Sequence, residues 1–78
     1  MITGSQVKAA RMLLGWSQFD LSIRAHVADS TVARLEAGQR DVRGDTALRI
    51  KAALEEAGVE FTEGEPPRLK SGVVTRAS

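Results

Sequence analysis

Residues 17–38 read SQFDLSIRAHVADSTVARLEAG, and this stretch decides the fold. Ser17 can cap a helix, and the acid three residues on, Asp20, suits the helix dipole. Leu21 and Ala25 lie four apart on an inner face. The helix breaks near His26, where Val27 is placed to plug the gap. A second helix runs from about Asp29 to Ala37, and Gly38 stops it. It carries Val32 and Leu35 on one side and Asp29, Ser30, Thr31, Ala33 and Arg34 on the other. A helix with one buried side and one small, hydrogen-bonding side suits a DNA major groove, about 12 Å wide.

The flanking sequence extends this pattern in both directions. Thr3 can cap an earlier helix running to about Leu14, with Gly15 at its end and Val7, Ala10, Leu13 and Leu14 as its buried stripe. A polar loop from Gln39 to Gly44 carries Arg40 and Arg43. A fourth helix starts at Asp45 or Thr46 and ends at Gly58. Ala47, Ile50 and Leu54 form its inner stripe, joined by Ala53 and Ala57. Beyond it, Val59–Thr62 alternate apolar and polar as a short strand does. Glu63–Pro67 reads as a turn or linker, and Val73-Val74-Thr75 as a second strand. Two short strands are marginal alone, so they either pair across a dimer or are disordered. The expected fold is all-α: a compact bundle of four or five helices with a short C-terminal strand or extended tail. Residues 1–58 form the main domain. Residues 59–78 form an extension of short strands or partly disordered chain, with Val59, Phe61, Val73 and Val74 as candidate dimerisation residues.

Composition narrows the function. The chain has 78 residues, enough for one small domain with marginal stability that dimerisation would help. Met1 at the start is what an intact small protein would show. There is no cysteine, and the single His26 cannot build a metal site alone, so no metal or cofactor is expected. No apolar run approaches the length of a membrane span, which predicts a cytoplasmic protein with no membrane partner. No nucleophile–base pair or phosphate-cradling glycine loop points to catalysis, so no catalytic residue and no enzyme is expected. Net charge is only +1, but it is unevenly spread. Residues 1–43 are net +2, residues 55–65 carry five glutamates and no Lys or Arg, and the last thirteen residues are net +3. A DNA-facing surface therefore belongs on the N-terminal half.

Residues 6–57 resemble the phage-repressor (Cro/repressor-type, or XRE) helix-turn-helix family. The matching residues are Gly15-Trp16-Ser17-Gln18, Leu21, Val27, Ser30-Thr31-Val32 and Arg34-Leu35-Glu36-Ala37-Gly38. The resemblance implies that Asp29, Ser30 and Arg34 read bases. The Arg34 fork fits guanine O6 and N7, or else binds phosphate or pairs with Asp20 or Asp29. Asp29 either accepts from a cytosine amine or caps its helix and orients Arg34. Ser17, Gln18, Thr31, Arg40 and Arg43 are the implied phosphate contacts. Arg11 and Glu36 are implied to form a partly buried ion pair that orients the recognition helix. By periodicity and position, Trp16 is expected in the core.

Two positions depart from the family pattern. His26 stands where glycine is usual, because the backbone there tends to be left-handed. It is a tolerated turn residue or, less plainly, a pH sensor. Ala28 replaces the usual serine cap of the recognition helix, a loss of about 1 kcal/mol unless Asp29 substitutes. The resemblance implies a regulator bound as a homodimer to a palindromic operator in double-stranded DNA, and so associated with the nucleoid. It would be autoregulatory or encoded on a mobile element. An antitoxin-like interaction module that also binds its own promoter is the alternative, with a toxin or other protein antagonist as partner.

Overall fold

The first two helices of this chain begin at side-chain caps, whereas the third and fourth begin without one. The computed structural model describes residues 2–39 and 42–70. It contains α1 (Gly4–Leu13), α2 (Gln18–Ala25), α3 (Asp29–Glu36), α4 (Gly44–Glu56), β1 (Val59–Glu60) and β2 (Arg68–Leu69). Thr3 and Gln6 form a reciprocal capping box on α1, and Ser17 and Asp20 form one on α2. Three helices end with the same pair of backbone bonds. Trp16 N–H donates to Arg11 O and Gly15 N–H to Met12 O after α1. Val27 and His26 repeat this to Ser22 and Ile23 after α2, and Gln39 and Gly38 to Arg34 and Leu35 after α3. The residue at the bend must be left-handed. Gly15 and Gly38 supply it freely, whereas His26 adopts φ 59°, ψ 46° with a Cβ in place.

Ala28 does stand at the cap of α3, and no side chain bonds that helix start, so Asp29 does not substitute for the missing cap. Ala28→Ser is therefore expected to stabilise the domain by about 1 kcal/mol. In a domain this small that raises the melting temperature by about 4–8 °C. Thermal unfolding followed by circular dichroism measures it, and an unchanged midpoint would mean that the cap geometry is wrong.

All four helices pack on one core. Leu21, Ile50, Leu54, Val7, Val32 and Val59 are its largest fully buried side chains. Ile2, which precedes α1, is also buried. Leu14, Trp16, Val27, Val42, Phe61 and Leu69 pack around the edge. Leu13, expected in the stripe of α1, is instead exposed. It lies about 100° around the helix from Leu14, and Val7, Ala10 and Leu14 already fill the inward arc.

The C-terminal strands pair within the chain. β1 and β2 are antiparallel, with Val59 opposite Leu69 and Glu60 opposite Arg68, and Lys70 N–H donates to Gly58 O at 2.8 Å. The partner of β1 is thus Arg68–Leu69. The expected strand at Val73–Thr75 lies outside the described residues. The hydrophobic core continues across the Gly58 turn, since Val59 is buried in the same cluster as Leu54. No helix among the described residues is long and apolar enough to cross a membrane.

Candidate nucleic-acid interface

The eight residues of α3 sort cleanly by face. Val32 and Leu35 are buried, Thr31 and Glu36 are half-buried, and Asp29, Ser30, Ala33 and Arg34 are exposed. At 100° per residue the four exposed positions fall within one arc of about 140°. Ala37, just beyond the helix, continues that arc. The exposed surface is therefore a carboxylate, a hydroxyl and a guanidinium set around two alanines small enough to let another backbone approach.

What fixes α3 is its last residue. Glu36 takes a two-pronged contact from Arg11 of α1: Nε to Oε2 at 2.8 Å and Nη2 to Oε1 at 3.0 Å. Arg11 Nη1 also donates to the Trp16 carbonyl at 2.7 Å. Gln18, the first residue of α2, donates its amide to Glu36 Oε1 at 3.1 Å. One carboxylate thus ties the ends of three helices together. The side chains of Arg11 and Glu36 are 13% and 5% exposed, so the pair is largely withdrawn from water. Burial pushes the Glu36 carboxyl up. The hydrogen bonds from Arg11 and then Gln18, with the charges of Arg11 and Lys8, outweigh it and hold the group below its ordinary value. The same hydrogen bond raises the Arg11 guanidinium further.

Asp20 is also held below its ordinary value, first by the Ser17 amide, then by the Ser17 hydroxyl. Both carboxylates are depressed on folding, so their contribution is present above the ordinary carboxylate range. It is lost as pH falls through that range toward their lower folded values. Stability is therefore expected to be level near neutrality and to drop in acid. Glu36→Gln should flatten the acid limb while lowering the neutral plateau. Urea melts across pH measure this, and an acid limb unchanged by the substitution would be the contrary result.

The expected phosphate contacts have varied surroundings. Ser17 is exposed at the α2 cap, with its hydroxyl oxygen accepting from Asp20 N–H at 3.0 Å and its own N–H given to Asp20 Oδ2 at 2.9 Å. Gln18 sits half-buried, one amide N–H already committed to Glu36. Thr31 lies at the flank of the exposed arc. Arg43 is the cap residue of α4, exposed, with Nε 3.4 Å from Asp45 Oδ1. Arg40 lies outside the described residues, as do Val73 and Val74. Of the other candidate dimerisation residues, Val59 is fully buried in its own chain and Phe61 is half-buried against the core.

Three contacts join residues that no sequence pattern links. Gln18 and Glu36 are eighteen positions apart, which no helical period links. Trp16 packs at the edge of the core as expected, but Arg24 also lies over its ring, 4.7 Å from the centroid. Gly4 touches the backbone of Leu35 and Glu36, so the start of α1 lies directly against the end of α3.

A family model described as helix-turn-helix matches residues 7–61. No individual curated protein matches the chain.

Proposed function

Because the chain belongs to the helix-turn-helix family of the Cro/repressor type, a family of DNA-binding transcription regulators, we propose that it binds a palindromic operator as a homodimer and reads it with α3. The observation that carries this reading is the face of α3. Asp29, Ser30 and Arg34 are exposed together while Glu36, at the edge of that face, anchors the end of the helix. In this reading Arg34 bonds a guanine edge in the major groove, and Ser30 and Asp29 discriminate at neighbouring pairs. Ser17, Gln18, Thr31, Arg40 and Arg43 contact phosphates on either side. Gln18 has a second amide hydrogen to offer, and the first turns of α2 and α4 aim backbone N–H groups outward in the way that suits a phosphate. The two recognition helices sit one turn apart, about 34–36 Å, in successive major grooves. Autoregulation makes the protein's own upstream promoter the first place to look, on a mobile element or elsewhere.

The test is binding of the full chain to that promoter fragment and to a scrambled duplex of equal length, at two salt concentrations. The expected result is preferential binding with two chains per fragment. Affinity should fall with salt by about one counterion for each phosphate contact. Equal binding to both duplexes would contradict the reading.

A further inference from the structure

Leu48 stands on the outer side of α4, 65% exposed, while Ala47, Ile50, Ala53 and Leu54 of the same helix are buried. It borders a groove of about 330 Å³ lined by Ile2, Gly44, Ala47, Lys51 and Leu48 itself. Asp45 lies three residues before Leu48 and Lys51 three residues after, so the three share one row along the helix. That row runs negative, apolar, positive. Reversed and laid along a copy of itself, it sets each acid against a lysine and leucine against leucine. A surface complementary to its own reverse is what a two-fold contact requires.

We infer that this row of α4 is where a second copy of the chain docks, Leu48 near the two-fold axis and Asp45 of each copy beside Lys51 of the other. The inference rests on the homodimer reading above and gives it a location. Asp45 Oδ1 faces Arg43 Nε and the Thr46 N–H, and among the described residues Oδ2 is left to meet a lysine. The groove beside Leu48 gives the partner's leucine a place to lie. Arg43, the proposed phosphate contact, caps the same helix end, so docking here couples the two DNA-facing surfaces. A single apolar row covers less than the roughly 800 Å² per partner of a standard interface. The free dimer is accordingly weak, and two adjacent half-sites on DNA complete it.

The absence of cysteine makes the test clean. Leu48→Cys should form a disulfide-linked dimer on mild oxidation, faster on the promoter fragment than in free protein. Phe19→Cys, at an exposed position on α2, should not. In the Leu48→Cys background, Asp45→Lys or Lys51→Asp alone should slow trapping by about tenfold, and the two together should restore it. Trapping no faster than that of Phe19→Cys, or a double exchange no better than the single ones, overturns the inference. If the fragment still carries two chains in that case, the dimer stands and its interface lies elsewhere. A fragment carrying one chain overturns the dimer reading as well.

Discussion

Glu36→Ala is expected to destabilise the domain by about 3 kcal/mol and to abolish selective DNA binding. The loss is larger than that of an exposed ion pair because the remaining partner cannot easily return to water. The Arg11 side chain is 13% exposed and would keep only its bond to the Trp16 carbonyl. Gln18 would lose its acceptor as well. A domain of this size has only about 5 kcal/mol in total, so the variant should be partly unfolded at physiological temperature. Urea unfolding gives the number. Glu36→Gln, which keeps the shape and part of the hydrogen bonding, should lose less. Replacing both partners, Arg11→Met with Glu36→Leu, should recover most of the stability without recovering the binding, since α3 would be packed but no longer held in register with α2. A single variant as stable as the parent would show that the carboxylate does not anchor the helix.

Gly4→Ala is expected to destabilise by about 2–3 kcal/mol, against the direction of helix propensity. Alanine is the better helix former by about 1 kcal/mol, so at an open site in α1 the change would help. Here an added Cβ would run into the Leu35 carbonyl oxygen, and would lie 2.9 Å from Leu35 C and 3.0 Å from Glu36 Cα. All three are backbone atoms, which cannot swing aside as a side chain can, so α1 and the end of α3 must separate. The displaced element is the one carrying Glu36, so affinity for DNA should fall along with stability. Gly44→Ala is the control, because nothing lies within 4 Å of a Cβ built there. It should be neutral or slightly stabilising in thermal melts. Equal effects of the two substitutions would remove the close approach of α1 and α3 from the account.

These two residues mark where sequence reading reached and where it stopped. Glu36 and Arg11 were legible as a pair because the resemblance supplied the partnership, and their contact is as implied. Gln18 was legible as an implied phosphate contact but not as a partner of Glu36. Its bond to Glu36 depends on how α2 crosses α3, which tertiary packing decides. Gly4 gave no signal, since a glycine at a helix start reads as a neutral first-turn residue until the neighbouring backbone is known. The turns were more transparent. His26 was recognised as the left-handed position, and it adopts that conformation because the bonds from His26 and Val27 back to α2 demand it. The strands were the least legible. The alternating Val59–Thr62 announced β1, but its partner, Arg68–Leu69, is too short to show alternation and is brought into place by the turn before it. The exposed face of α3 followed directly from the helical period, because Val32 and Leu35 alone settle which side is buried.

On the proposed function, α3 reads DNA sequence through its exposed face, with Arg34 as the main reader. The measurement that bears on it most directly compares wild type and Arg34→Ala on the upstream promoter fragment and on a scrambled duplex at fixed salt. Loss of a bidentate guanine contact costs about 1–3 kcal/mol in each half-site. Discrimination between the two duplexes is therefore expected to collapse by at least about tenfold, while binding to the scrambled duplex changes little. Discrimination by Arg34→Ala equal to that of wild type would contradict it.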